Sequence, residues 1–417
     1  MSKCLEKNMT LQDFLNVNES YRLPDKINEA LFADNAEETI KEIKRSICGD
    51  IRDMFQEEQG DRKNLKQDFT PDCVCAIVSG LMVEGTCLDM CSGTGALSKH
   101  AVKKHGISVN EQEFSERTIP FALLDACMSG MDGMISRADC LRNIVYESYK
   151  LEKRGDISVP RQVEPVLAST YDNVIMNPPY SMKFPEAKEM PIMGHIIPTS
   201  RADFGFILRG FEHLKDNGRL IAILPHGVLF RGAGEGKIRE WMVKERLIHA
   251  VIGLPDKLFL NTSIPVFVFV LQKNSENVLF IDASKDFVKQ SVQNNMTEEQ
   301  ISRVVSTYLN RNEIDKYSHI ASYSEIEEND YNLNIPRYVD TFIEEPLPDA
   351  YELLRNLKEI ETEETRVKSE LFKMLSDLCG NDEDMKIIES HKEVLSKKPR
   401  QCGKKEYEQM ELMDLWT

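Results

Sequence analysis

The sequence predicts an α/β protein: a mostly parallel, seven-stranded sheet flanked by N-terminal and C-terminal helical regions. Three observations predict it. Between 71 and 283, short apolar runs alternate with amphipathic segments, as in a sheet wrapped by helices. Residues 1–66 place apolar side chains at 3- and 4-residue steps among acids and lysines. Residues 353–378 carry an apolar stripe of heptad character.

In chain order, Ile27, Leu31, Ile40, Ile43, Ile47, Ile51 and Phe55 mark the first helical region. The stretch KQDFTP ends it, because Pro71 cannot continue a helix. The expected strands are TCLDM (86–90), ISVNEQEF (107–114), MISRADC (134–140), YDNVIM (171–176), GRLIAILP (218–225), HAVIGLP (249–255) and PVFVFVLQ (265–272). The last two, joined through Asn261 and Thr262, are expected to form an antiparallel edge. The division that follows is 1–66 helical, 67–283 sheet domain, 284–345 polar connection and 346–417 helical. In the last part Leu353, Leu357, Ile360, Val367, Leu371, Met374 and Leu378 form the stripe. It serves either a helix packed on its own domain or one that docks another chain.

With 41% apolar and 29% charged residues, the 417-residue chain has ample material for a core and is too apolar for disorder. The longest apolar run, Ile264 to Leu271, is far short of the roughly 20 residues a membrane helix needs. The start, MSKCLEKNMT, has no apolar segment of the secretory kind. Membrane and secreted classes are therefore not expected, and the ten scattered cysteines read as reduced thiols of a cytoplasmic protein. Cys73 and Cys75 lack a second pair to complete a zinc site, so no metal is expected. The 52 basic and 69 acidic residues leave a charge of −17, which repels nucleic acid unless a local basic groove or a basic partner intervenes.

Chemistry concentrates at the strand ends. In LDMCSGTGALSKH a strand ending near Asp89 meets Cys91, Gly93 and Gly95 before a helix opens. Glycines admit close backbone approach, and the helix start offers free N–H groups. The spacing is not that of a dinucleotide loop, and alone it reads equally well as a structural turn. Glu113, 20 residues past Gly93, ends the second strand, where a carboxylate can grip both ribose hydroxyls. Asp139 ends the third, where it can accept from an adenine amino group. Acids on successive strand ends of such a sheet suit an adenosine without pyrophosphate, with S-adenosylmethionine (AdoMet) the leading candidate.

The most specific motif is Asn177-Pro178-Pro179-Tyr180, directly after the apolar strand YDNVIM. The prolines fix φ and remove donors, leaving the Asn177 side-chain oxygen and the Pro178 carbonyl as acceptors for an exocyclic amino group. Tyr180 adds an aromatic face for a planar base.

The order QDFTP, DMCSGTG, EQEF, ADC, NPPY resembles the γ-type methyltransferases of DNA adenine N6. The segments from LPHGVLFRGAGEGKIREW to PVFVFVLQK, and YSHIASYSEIEENDYNLNIPRYVDTF, resemble the modification subunit of type I restriction–modification enzymes. The resemblance runs from about Gln67 to Phe342. It implies the Rossmann-like fold of AdoMet-dependent methyltransferases. It also implies Phe69, Thr70 and Pro71 at the methionine end of AdoMet, and Asp89, Cys91, Gly93 and Gly95 as the loop wall. Glu113 would sit on the ribose, with Phe114 and Asp139 on the cofactor adenine. Asn177, Pro178, Pro179 and Tyr180 would hold the target adenine. The implied partners are double-stranded DNA, one specificity subunit per two copies of this chain, and a restriction subunit. The sequence departs from the family at Met90, Ala96 and His226, and in its shorter N-terminal part. The motif Asn-Pro-Pro-Tyr also occurs in enzymes that methylate RNA or protein glutamine. A non-catalytic AdoMet-binding scaffold is the reading from a different class.

Overall fold

The computed structural model describes residues 9–47, 49–58, 69–166, 169–260, 264–291, 293–341 and 349–396. Gln67 and Asp68 of the QDFTP stretch, the Asn261–Thr262 loop and the 59–66 end of the first helical region lie outside them. Two units are formed, Met1–Phe342 and Ile343–Thr417.

The first unit opens with helices α1 (Leu11–Phe14), α2 (Leu23–Leu31), α3 (Ala36–Ser46) and α4 (Ile51–Glu58). All seven apolar residues expected to mark this region are buried. They pack in one cluster with Phe121 and Leu124 of a later helix and with Ile135, Tyr149 and Leu151 of the sheet. Burying each such side chain contributes about 1.5–3 kcal/mol. The expected boundary at 66 is thus internal to the unit, because these helices complete the core of the sheet.

α5 (Asp72–Leu81) follows Pro71. Then come β1 (Cys87–Met90), α6 (Ala96–His105), β2 (Val109–Glu113), α7 (Ile119–Met128) and β3 (Gly133–Asp139). A hairpin of β4 (Ile144–Arg154) and β5 (Ile157–Val163) leads to β6 (Tyr171–Met176), α8 (Asp203–Glu212) and β7 (Leu214–Pro225). Next are α9 (Ala233–Lys244), β8 (Ile248–Gly253), β9 (Val266–Leu271) and β10 (Val278–Asp282). A small ribbon of β11 (Val288–Lys289) and β12 (Asn294–Asn295) precedes α10 (Glu298–Asn310), β13 (Ser318–Ala321) and α11 (Tyr323–Glu328).

The large sheet has the order β13-β10-β8-β9-β7-β6-β1-β2-β3-β4-β5. All seven expected strands lie in it, as the contiguous block β8-β9-β7-β6-β1-β2-β3. β3, β2, β1, β6 and β7 pair in parallel, whereas β9 runs antiparallel to both β7 and β8. The expected antiparallel pair therefore exists but is no edge. β9 is inserted between its neighbours with all six residues buried, and β10 borders β8 in parallel. A strand of unbroken apolar residues has two faces to bury, which an interior place in a sheet covered on both faces provides. Four strands of this sheet went unassigned from sequence: β4 and β5 beyond β3, and β10 and β13 at the other end.

Of the stretch 284–345, expected as a connection, the described residues up to 341 are built into the first unit. α10 packs on α5, and β13 pairs with β10. In the second unit α12 (Ala350–Ser376) and α13 (Asp382–Ser396) are helical, and the apolar stripe is solvent-exposed along α12. Leu378 falls past the end of α12, so the helical stripe stops at Met374. Among the described residues no helix is long and apolar enough to cross a membrane. The seven described cysteines are free, five of them buried.

Candidate active site

Because β3, β2, β1 and β6 are parallel neighbours, their carboxyl ends come out side by side on one edge of the sheet. A cavity of about 350 Å³ opens there. Glu113, Phe114, Asp139, Cys91, Gly93, Phe69, Thr70 and the whole Asn177–Tyr180 motif line it. Eleven of the fourteen expected site residues thus meet in one place. Pro71, Asp89 and Gly95 do not line it.

The turn after β1 winds through positive φ at Cys91 (61°), Gly93 (59°) and Gly95 (83°). At Gly95 a side chain would need a left-handed backbone and would meet the Glu111 carboxyl at 3.1 Å, so glycine is the residue with least strain there. This turn is stapled from below and behind. Glu113 accepts from the Gly93 N–H at 3.0 Å and from the Ser115 N–H at 2.8 Å. Burial raises the Glu113 pKa, opposed by these backbone donors.

Asp89 has a different place from the one expected. It is fully buried and accepts from the Ser98 hydroxyl at 2.8 Å and the Ser98 N–H at 3.2 Å. It pins the first turn of α6 and so holds the glycine turn without reaching the cavity. Glu111 pairs with it in register on β2. Burial, then the nearby Asp89, pushes Glu111 up to about 8. Burial pushes Asp89 to about 7. Pro71 caps the start of α5 with extended backbone.

Phe69 is held in place by the N-terminal helices, its ring 5.7 Å from that of Phe55. Next to it, Thr70 accepts from the Asn177 amide nitrogen at 2.9 Å. The Asn177 oxygen accepts from the Tyr180 hydroxyl at 2.8 Å. The asparagine side chain is therefore clamped at both ends, by the segment before α5 and by its own motif. Its oxygen has two lone pairs, one of which Tyr180 engages. Asp139 accepts from the Arg142 N–H at 2.9 Å and from its guanidinium at 2.6 Å.

Sequence reasoning missed Thr94, Arg142 and Phe206 among the lining residues, and read the 181–203 stretch, which supplies Met182 and Lys183, as an ordinary loop rather than a border of the pocket. Thr94, Met182 and Lys183 adjoin recognised motifs and were legible by proximity. Phe206 comes from α8, and only the tertiary fold brings it here. The Thr94 hydroxyl is buried with no hydrogen-bond partner among the described residues.

Acids on the ends of β2 and β3, a glycine turn after β1 and an Asn-Pro-Pro-Tyr turn after β6 meet in one cavity at the carboxyl edge of a sheet of the AdoMet-dependent methyltransferase fold class. The N-6 DNA Methylase family model matches residues 44–346, and the chain belongs to that family. Within it, the chain is of the kind found as methyltransferase subunits of type I restriction–modification systems. Such a subunit from Streptococcus thermophilus is 34% identical with a TM-score of 0.59, covering 80% of this chain and 76% of that one. The type I restriction enzyme MjaVII methylase subunit of Methanocaldococcus jannaschii is 30% identical over 73% of this chain and 54% of its own length. A structure from Listeria monocytogenes, described as a class I S-adenosylmethionine-dependent methyltransferase, shares the fold at 17% identity with a TM-score of 0.50, covering 72% of this chain and 94% of that one. The chain spans roughly half to two thirds of the length of the curated relatives it matches first.

Proposed function

We propose that this chain transfers the methyl group of AdoMet to N6 of a flipped-out adenine in double-stranded DNA, as the modification subunit of a type I-like restriction–modification system. One observation carries the reading: the acids at the ends of β2 and β3 share a single cavity with Asn177 and Tyr180. A methyl donor and an amino acceptor can therefore meet in it.

The residues present fit the cofactor. Glu113 supplies a carboxylate for ribose hydroxyls, Asp139 an acceptor for the adenine amino group, and Phe114 an apolar face. The unpartnered Thr94 hydroxyl and the glycine turn suit the polar methionine end. AdoMet, when bound, contributes a methyl group activated on a sulfonium.

The protein's part is placement. N6 of adenine is a poor nucleophile because its lone pair is delocalised into the ring. Acceptance of its protons by the Asn177 oxygen and the Pro178 carbonyl favours a pyramidal nitrogen with the lone pair free to attack. Tyr180 orients Asn177 and offers its ring to the base. Extracting the base from the duplex costs a few kcal/mol, which stacking in the pocket offsets.

Sequence recognition would come from a specificity subunit, one for two copies of this chain, with a restriction subunit as a further partner. The purified chain should bind AdoMet in calorimetry, and tritiated methyl should enter DNA adenine only when the specificity subunit is added. Parallel arms with RNA and with a protein glutamine substrate decide the alternatives. Transfer to either of those, or robust methylation of one DNA motif by the chain alone, would overturn the proposal.

A further inference from the structure

One polar side chain lining the cavity, that of Arg142, is used neither by the cofactor assignment nor by the target-base motif. Arg142 lies three residues past Asp139, and its guanidinium forks. One arm meets Asp139 Oδ2 at 2.6 Å, and the other meets Glu186 Oε1 at 2.7 Å. Its own N–H also meets Asp139 Oδ1 at 2.9 Å, so both oxygens of Asp139 are held from the same residue. The guanidinium also sits 5.6 Å from the Phe184 ring centre.

Glu186 belongs to the segment that follows the Asn-Pro-Pro-Tyr motif. That segment returns to α8 through bonds from the Phe184 N–H to the Thr199 carbonyl and from the Ala202 N–H to the Met182 carbonyl. Its own residues Met182 and Lys183 line the cavity, as Asp139 and Arg142 do. A planar fork that grips two carboxylates at once fixes their separation, which a lysine cannot do.

We infer that Arg142 is a positioning residue that couples the cofactor-adenine acceptor Asp139 to the target-base segment 182–190 through Glu186. The inference rests on the AdoMet reading of the cavity. Asp139, held by two donors on one side, keeps a lone pair on each oxygen directed elsewhere for the cofactor amino group. Occupation of that lone pair fixes Asp139, and the fork passes the restraint to the segment bordering the target base. Linkage makes the effect mutual: whatever steadies the segment strengthens cofactor binding by the same factor.

The test is hydrogen exchange on the full-length chain with and without saturating AdoMet, alongside calorimetry. The reporters are the Ala187, Glu189 and Met190 amides, which bond within the segment to the carbonyls of Phe184 and Glu186. In the wild type AdoMet should slow their exchange several-fold. Glu186→Gln should lose the slowing and weaken AdoMet by no more than the several-fold factor of slowing that is lost. Arg142→Gln should lose the slowing and bind AdoMet roughly 3–10-fold more weakly, and Arg142→Lys should recover binding without recovering the slowing. An undiminished exchange response in folded Glu186→Gln, or no response in wild type that binds AdoMet, would overturn the inference. Absence of AdoMet binding to the wild type would instead strike the reading of the cavity.

Discussion

Asn177 is clamped by Thr70 and Tyr180 before any substrate arrives, and so its acceptor is preorganised. Preorganised hydrogen-bonding groups act most on the transition state. Asn177→Ala should lower turnover of the complete complex by roughly 10²-fold or more, with little change in AdoMet affinity by calorimetry. A large loss of affinity in a folded variant would place Asn177 on the cofactor. Besides the ribose contact proposed for it, the Glu113 carboxylate accepts from the Gly93 and Ser115 amides. Glu113→Ala should therefore weaken AdoMet by about 1.5–3 kcal/mol or more, the scale of a hydrogen bond to a charged group. Glu113→Gln, which keeps one acceptor oxygen, should fall between the two in the same titration. At this scale the sequence was informative where chemistry demands an unusual residue, as at Asn177 and Glu113. It misled at Asp89, because nothing in LDMCSGTG tells whether a strand-end acid faces the cavity or the helix above.

Among the elements, the turn between β1 and α6 stands on two buried carboxyls, Asp89 and Glu111, that face each other in register. Burial raises both, to about 7 and about 8. Each binds its proton more tightly folded than unfolded. Their stabilising contribution is full below the ordinary carboxylate range and is lost as pH rises through 7 to 8. Glu111→Gln removes one of the ionisations, and the decline in melting temperature between pH 5 and pH 8.5 should flatten, by roughly 1–3 kcal/mol of stability across the interval. An unchanged slope would show that another group sets it. Strands such as β6 and β9 were legible because an apolar run is buried on both faces. β4 was not legible because its residues alternate with Glu147, Lys150, Glu152 and Lys153 near a partly exposed sheet end. β10 was passed over because a five-residue run beside charged loops gains its strand identity only from the partners β8 and β13.

For the whole molecule, the charge of −17 and the exposed apolar stripe of α12 point the same way. Leu357 and Leu371, each at least 42% exposed, are costly to leave in water along a helix this long. Replacing both by Glu should leave AdoMet binding and the melting temperature of the first unit unchanged. It should abolish co-purification with a specificity subunit, read by size-exclusion chromatography, and retained association would move the docking surface elsewhere. A second consequence concerns synthesis. β9 lies between β7 and β8, which do not pair with each other. A nascent chain that has delivered β7 and β8 thus holds two apolar strands, each with an open flank, and neither can be closed by the other. The gap is filled only by the residues from Val266 to Leu271, made later than both. A ribosome that stalls or a message that ends between 253 and 266 therefore leaves a sheet that stops at an open β7, with β8 unpaired on both sides because β9 and β10 are made later still. Such a product exposes the open backbone of two apolar strands to any extended chain, and is a substrate for chaperones and proteases.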